Sequence, residues 1–552
     1  MARTAKTNRP ADKEKKTAKK PAQKKQAVVV IHGMGEQRPM ETLRSFVDTV
    51  WTKDLELTKA RNESKAEQER QKNARTTDVR TEQTINKSWI VPDAGAGSHE
   101  LRRITTVENK NGRRTDFFEF YWADVMQGTT LQHLLTWLKE LLLRPPATVP
   151  RNVFGAWIVL IVLTAVTVVL AAVALISSDT VAQWLYNIAF QPIVDGRDFV
   201  CGAAAIAVLI VGAGRAWDGR PLAGVIVKTA FALLLIWTTY YVLGREVIQN
   251  HPRIWAIGAS VVIGFIVHSF VVPTFGDVAR YVRAAADTVE KRDLVRNRGL
   301  RLLNRLHDSG DYDRIIVVGH SLGSILAYDL VQLLWAERAP DPDNPPTDEA
   351  VAAFQTIDEY VRRRNESWSD NVELREFRAA QCALGCFMQS CQKPWLISDF
   401  VTVGSPLTHA EFLMARDKSE LTEFIRDRLL SKSPPEPDET PYRGDETILY
   451  KGRARTPRFP HHAAVFAATR WTNIHDPNSL IFFGDMISGS LTENFGQGIE
   501  EYEVEIVRPF LFGLTWRFFT HTFYWKWRDS YLVDGVPEHI ADLRSAVALD
   551  ES

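Results

Sequence analysis

Two short runs of aliphatic residues predict strands that are buried on both faces of a sheet. The first covers Ala27–Ile31 and the second Ile315–Val318, and neither alternates apolar with polar positions. Such continuous runs are typical of parallel strands, because both of their faces are covered. The second run is followed by leucines at helical spacing, at positions 322, 326, 330, 333 and 334. The pattern therefore predicts a strand, a tight turn and a buried helix in succession.

The segment Asp116–Trp122 predicts another strand, since aromatic side chains dominate it. The proline- and charge-rich segments 339–347 and 431–460 predict exposed loops. Strands that alternate with helical segments indicate a globular α/β fold outside one long apolar block.

That apolar block predicts membrane spans. Residues 153–176 are 24 residues without a charge, which as a helix would be about 36 Å long, against a hydrocarbon core of about 30 Å. Three further apolar segments follow. We therefore expect an all-α transmembrane domain of about four helices within 151–276, at 153–176, 199–214, 221–243 and 254–275.

The two buried strands flank this block, so they can share one sheet only if the number of spans between them is even. Four spans are expected, and two full spans with interfacial or re-entrant segments are the alternative. Basic residues on the flanks favour a cytoplasmic catalytic domain in a multi-pass protein. The predicted organisation is a tail (1–26), two parts of one catalytic domain (27–150 and 277–552), and the insertion between them.

The overall composition of the chain says less about function than the distribution of charge along it. The 552 residues carry 67 basic and 67 acidic side chains, yet residues 1–25 hold ten Lys or Arg against two acidic residues. This tail is expected to be disordered, with attraction to anionic lipid headgroups as a further expectation. It lacks the interleaved aromatics of a single-stranded nucleic-acid binder, so no nucleic acid is expected as a partner. Four cysteines exclude a disulfide scaffold, and no pattern predicts a metal or an organic cofactor.

The turn after Ile315–Val318 carries the strongest chemical signal. It reads Gly319-His320-Ser321-Leu322-Gly323, which is G-x-S-x-G placed between a strand and a helix. Glycines permit the tight turn that exposes a serine hydroxyl above the sheet. Ser321 is therefore the candidate nucleophile, and a serine in this role needs a base and an orienting carboxylate.

In these residues the chain resembles the α/β-hydrolase superfamily, in particular its lipase- and esterase-like members. The resemblance also covers residues 27–35 and 116–124. It extends to Asp399–Leu407, to Trp471–Ile474 and to Glu501–Val507, which are similar to the later strands of such enzymes. It implies a doubly wound, mostly parallel sheet, here interrupted by the inserted transmembrane domain. It also implies that acid and histidine follow the serine, in that order.

The resemblance leaves the acid and the base to be chosen among late residues. His521 is favoured as the base over His539, because it follows the last expected strand where the histidine loop of the superfamily falls, whereas His539 lies in an expected terminal helix. The acid is Asp485, in a segment similar to one seen in related hydrolases, or Asp476, directly after the Trp471–Ile474 strand.

The resemblance also implies an oxyanion hole formed by the backbone N–H groups of Leu322 and, in the turn His32–Gly35, of Met34. The implied activity is hydrolysis of an ester through an acyl-enzyme, and membrane lipids are the expected neighbours and a lipid acyl ester one expected substrate. An acyltransferase with the same triad and a catalytically silent membrane scaffold are the alternatives. The sequence predicts no oligomeric state.

Overall fold

The computed structural model describes the parts of the chain that form a sheet and its covering helices. The described residues are 25–33, 38–72, 86–93, 102–125, 289–338, 347–368, 371–438, 447–448, 460–477, 484–485, 487–509, 515–517, 520–526 and 536–550, with isolated positions between 142 and 168 and at 281. Residues 1–24 of the predicted tail and Met34 lie outside them, whereas Lys25 and Gln26, the last two residues of the predicted tail, belong to the first strand.

Eight strands form one sheet. They are β1 Lys25–Ile31, β2 Ser88–Pro92, β3 Arg102–Thr106, β4 Thr115–Phe120, β5 Tyr312–His320, β6 Ile397–Val403, β7 Arg470–His475 and β8 Ile499–Glu503, and a separate hairpin pairs β9 Arg508–Pro509 with β10 Thr515–Trp516. The order in the sheet is β2-β3-β4-β1-β5-β6-β7-β8. From β4 to β8 all neighbours are parallel, whereas β2 and β3 are added antiparallel at one edge.

Helices cover both faces of this sheet, so the structure is an α/β fold. The described helices are α1 Glu41–Val47, α2 Leu55–Lys72, α3 Val289–Asp308, α4 Leu322–Arg338, α5 Asp348–Arg362, α6 Asn371–Gln389, α7 Ala410–Leu413, α8 Lys418–Arg426, α9 Thr492–Phe495 and α10 Glu538–Val547. Short turns of other helical types cover Asp48–Thr52, Pro406–His409 and Val465–Ala467.

The continuous aliphatic runs are explained by two cores, one on each face. In β5, Ile315 and Val317 pack into the core that contains α4, whereas Ile316 and Val318 pack into the core on the opposite face. Successive side chains of a strand point to opposite faces, so a strand covered on both faces needs apolar residues at every position.

The predicted transmembrane insertion is contradicted. Among the described residues, no helix combines the length and the apolar character needed to cross a bilayer. The described helices of 18 or more residues, α2, α3 and α6, each carry four or more charged side chains, and the apolar α4 has 17 residues. The predicted spans 199–214, 221–243 and 254–275 lie outside the described residues, as do most positions of 153–176.

The same finding overturns the predicted fold class, in which an all-α transmembrane domain interrupts the sheet, and the predicted multi-pass location with a cytoplasmic catalytic domain. Apolar composition is not specific to a bilayer, because a helix covered by protein has the same composition. Helix α4 is the described example, since most of its side chains are buried within the protein. Trp157, inside the first predicted span, is 7% exposed and lies beside Phe154, with 5.7 Å between the ring centroids.

A buried carboxyl fastens the start of α1 to the sheet beside β1. Glu119 lies in β4 opposite Val30 and accepts a hydrogen bond from the backbone N–H of Met40. Burial raises the pKa of Glu119 to about 7, although hydrogen bonds from the Met40 and Leu43 N–H groups act in the opposite direction. The carboxyl is therefore protonated in the folded protein below neutral pH.

Replacing Glu119 with Gln should make the protein more stable than the wild type above pH 7 and leave stability near pH 4 unchanged. The unfolded carboxyl ionises near its ordinary pKa of 4.5, while the folded one keeps its proton up to about 7. The wild type therefore loses stability as pH rises between these values, by up to about 3 kcal/mol, and the neutral amide does not. Urea unfolding of both proteins across this range measures the difference, and parallel stability curves would contradict the assignment.

Candidate active site

Ser321 lies between β5 and α4, at the carboxyl end of a central strand. Its φ is 54°, a left-handed conformation that is uncommon for residues other than glycine. Its backbone N–H donates to the carbonyl of Val403 at the end of β6, 3.1 Å away. Strained backbone of this kind persists only where its surroundings hold it in place. The side chain is held at the edge of the sheet where open α/β folds bind ligands.

The turn that follows β1, the strand next to β5, packs directly against Ser321. A Cβ atom on Gly323 would lie 2.3 Å from the carbonyl oxygen of His32, and one on Gly33 would lie 2.7 Å from the Cβ of Ser321. Both contacts are shorter than side chains tolerate, so glycine is required on each side of this contact. Gly319 is the next-to-last residue of β5, directly before His320.

His521 joins the serine to a carboxylate. Its Nε2 lies 2.7 Å from the Oγ of Ser321, and its Nδ1 lies 2.9 Å from the Oδ2 of Asp485. A carboxylate can only accept, so Nδ1–H is the donor to Asp485 and Nε2 is left to accept the proton of the hydroxyl. All three residues are almost completely buried, with 2%, 4% and 0% exposure for Ser321, His521 and Asp485.

Asp485 is held ionised and in place by several donors. Its Oδ2 also accepts hydrogen bonds from the hydroxyls of Tyr524 and Ser488, both at 2.7 Å, and its Oδ1 accepts from the N–H of Ile487 at 2.9 Å. Burial alone would raise the pKa of Asp485, but the His521 ring and these hydrogen bonds hold that pKa below its ordinary value. Burial and the adjacent carboxylate raise the pKa of Tyr524, so this phenol keeps the proton that it donates.

Two backbone hydrogen bonds connect the loops that carry the acid and the histidine. The N–H of Gly484 donates to the carbonyl of Arg517 at 2.7 Å, and the N–H of Thr520 donates to the carbonyl of Gly484 at 3.1 Å. The residues next to Asp485 and His521 are therefore paired with each other, which fixes the separation of the two side chains.

Asp476, the second acid considered from the sequence, has a different partner. Its Oδ1 lies 2.5 Å from Nη2 of Arg517, and its Oδ2 accepts from the N–H of Ile506 at 3.4 Å. Burial raises the pKa of Asp476, although hydrogen bonds from Thr520 and Arg517 oppose that rise. The carboxylate that is bonded to His521 is therefore that of Asp485. Asp476 instead holds Arg517, which lies four residues before His521.

No family model, curated protein or solved structure matches this chain. Nor, in the part that the structure describes, do three or more His, Cys, Asp or Glu side chains converge as a metal site. The chemistry open to this site is therefore inferred from its own side chains and their geometry.

His320 contacts the histidine loop, a role that the sequence did not predict for it. Its Nε2–H donates to the backbone carbonyl of His521 at 3.0 Å, and the two rings stack with 5.3 Å between centroids. Burial, followed by the nearby His521 ring, lowers the pKa of His320 to about 3, so its ring is neutral. His539, the other histidine considered as a base, is buried in α10.

The groups expected to bind an oxyanion are placed only in part. Leu322 is the first residue of α4, so its backbone N–H belongs to the helix N-terminus beside Ser321. Met34 lies outside the described residues. His32 and Gly33, which precede Met34, are held by two hydrogen bonds. The Nδ1–H of His32 donates to the carbonyl of Gly33 at 2.8 Å, and the indole N–H of Trp122 donates to the carbonyl of His32 at 3.1 Å.

Tyr524 and Ser488 are the site residues that sequence reasoning missed. Each lies three residues after a candidate, Tyr524 after His521 and Ser488 after Asp485, and each donates to the same carboxylate oxygen. A search for hydroxyl side chains close to each candidate would have included both. Such spacing is common in any loop, however, so the contact itself was needed to single them out.

Proposed function

We propose that this protein is a serine hydrolase that cleaves carboxylic esters. The observation that carries the proposal is the continuous hydrogen-bond chain from Ser321 Oγ through His521 to Asp485, at 2.7 and 2.9 Å. A hydroxyl bonded to an imidazole that is itself oriented by a buried carboxylate is the arrangement that activates a serine.

In the proposed first half-reaction, the Oγ of Ser321 attacks the ester carbonyl carbon while Nε2 of His521 takes the hydroxyl proton. The tetrahedral intermediate carries its negative charge on the former carbonyl oxygen. The N–H of Leu322 is one donor to this oxygen, and the turn after Gly33 is expected to supply a second. The imidazolium then gives its proton to the departing alkoxide, so an alcohol leaves and an acyl-enzyme remains.

The second half-reaction repeats these steps with water as the nucleophile. His521 takes a proton from water, the hydroxide adds to the acyl carbonyl, and collapse of the intermediate returns the proton to Ser321 and releases the carboxylic acid. Asp485 stays ionised throughout, keeps Nδ1 protonated and stabilises the imidazolium. The low pKa held at Asp485 supports this role, because a protonated acid would lose that interaction.

The chain order of the three residues further supports a place in the α/β-hydrolase superfamily. Ser321 precedes Asp485, and Asp485 precedes His521, which is the order in that superfamily. The left-handed φ at Ser321 and the short contacts at Gly33 and Gly323 are also what a nucleophile elbow requires.

Turnover of p-nitrophenyl butyrate by the purified full-length chain tests this proposal. We expect release of p-nitrophenol and butyric acid, with a saturable dependence on the ester. Adding 1-butanol separates hydrolysis from acyl transfer, because a transferase would form butyl butyrate at the expense of the acid. No turnover of acetate, butyrate or laurate esters would favour a protein that keeps this fold without catalysis.

A further inference from the structure

A second candidate site lies along the outer face of α4, away from the residues of the triad. It is a cavity of about 350 Å³ lined by residues of α3, α4 and α8, by Tyr281, and by residues 428–431 just after α8. Ser321, His521 and Asp485 do not line it. Its volume is within the range of pockets that bind small organic ligands, about 300–1,000 Å³.

Three arginines line one part of this cavity, and two of them have carboxylate partners. Arg296 Nη2 lies 2.6 Å from Asp329 Oδ2, and Arg428 Nη1 lies 2.8 Å from Asp438 Oδ1. Arg292, one helical turn before Arg296, has no such ion pair among the described residues. Within the described residues, the cavity wall therefore carries one guanidinium, that of Arg292, without a bonded carboxylate, although Asp329 in the same wall attracts it.

The hydrogen-bonding capacity of these arginines is also incompletely used. The Nε atoms of Arg292 and Arg296 are both buried and have no hydrogen-bond partner among the described residues. The guanidinium of Arg292 instead lies against the ring of Tyr281, with 5.7 Å to the ring centroid. Burial, followed by repulsion from Arg296, lowers the pKa of Arg292, although Asp329 and Tyr281 act in the opposite direction. An anion beside Arg292 would give its guanidinium a charge-assisted partner that the described residues do not supply.

Part of the remaining wall is apolar, beside the polar side chains of Asp329, Gln332, Ser431 and His462. The apolar lining comes from Ile325 and Leu333 of α4 and from Met414, Phe424 and Leu430. A hydrated inorganic anion would leave this surface without a partner, whereas an alkyl chain would remove it from water.

We propose that this cavity binds an amphiphilic anion, a carboxylate or phosphate group that carries an apolar chain. The charged group lies beside Arg292 and Arg296. The apolar chain lies against Leu333, Met414 and Phe424. This site is separate from the triad, so binding there does not require a functional Ser321.

Isothermal titration of the full-length protein with laurate and with dodecyl phosphate, below their micelle-forming concentrations, tests the proposal. We expect saturable binding of at least one probe, which also tells a carboxylate headgroup from a phosphate one. Arg292→Gln should weaken that binding by at least about tenfold, the loss expected for one charge-assisted hydrogen bond. Arg301→Gln is the matched control, because Arg301 is exposed on the same helix and does not line the cavity.

Leu333→Glu gives a second test that does not touch the arginines, since this half-exposed position should accept a polar residue without unfolding. It should weaken the binding of both probes by placing an acidic group among the apolar side chains that line the cavity. Ser321→Ala should bind them like the wild type, so failure of the hydrolase proposal would leave this result intact. The proposal is overturned if neither probe binds, if Arg292→Gln binds as well as Arg301→Gln, or if dodecanol or inorganic phosphate binds as tightly as the amphiphilic anions.

Discussion

Replacing Ser321 with alanine should lower kcat/KM for p-nitrophenyl butyrate by a factor on the order of 10⁵, the loss expected when a triad nucleophile is removed. The stability of the variant should stay close to that of the wild type. Alanine keeps the Cβ atom and the left-handed backbone at this position, so only the hydroxyl that bonds His521 Nε2 at 2.7 Å is lost. Ester turnover and urea unfolding, measured on the same preparation, separate the two effects.

Ser321→Gly provides the matched control for backbone strain. Glycine adopts a φ of 54° without the Cβ penalty, so this variant should be equally inactive and more stable by up to about 1 kcal/mol. An alanine variant that retained a tenth or more of wild-type turnover would show that the esterase activity arises elsewhere.

Replacing Asp485 with asparagine should lower kcat by about 10⁴-fold with little change in KM. The amide can donate to Nδ1 and so favours the tautomer in which Nε2 carries the proton and cannot accept one from Ser321. Asp476→Asn is the matched variant, because Asp476 is equally buried but bonds Arg517 at 2.5 Å. It should keep kcat within a few-fold and lower the free energy of unfolding by roughly 1–3 kcal/mol, since Arg517 loses a charged partner.

Steady-state kinetics and urea unfolding of both variants distinguish the two carboxylates. A large kcat loss in the Asp476 variant, with near-normal turnover in the Asp485 variant, would reverse the assignment of the acid.

The parts of this site that the sequence could predict are those that depend on local pattern. The strand, the G-x-S-x-G turn and the leucine-rich helix are contiguous, so β5, Ser321 and α4 follow from a single stretch of chain. The choice of His521 over His539 depended on their expected positions, in the loop after the last strand and in a terminal helix. In the structure, it is His521 that lies within hydrogen-bond distance of Ser321.

The acid could not be chosen from the sequence, because both candidates lie close behind β7 and both are fully buried. What separates them is the pairing of Gly484 with Arg517 and Thr520, contacts across more than 30 residues that no local pattern encodes. The same applies to Tyr524, whose hydroxyl meets Asp485 only after both loops are in place.

The membrane prediction failed for a physical reason of the same kind. An uncharged run of 24 residues satisfies the length and hydropathy of a span, but these are properties of one segment taken alone. Whether lipid or protein covers an apolar helix depends on the rest of the fold. In α4, the described helix with the most apolar sequence, the covering surface is protein.

The central claim is that Ser321 is a nucleophile activated by His521, and covalent labelling tests it most directly. The full-length protein should react with a fluorophosphonate to give one adduct per chain, and peptide mass mapping should place that adduct on Ser321. His521→Ala should label far more slowly, and Ser321→Ala should not label at all. No adduct on the wild type, or an adduct that persists in Ser321→Ala, would contradict the claim.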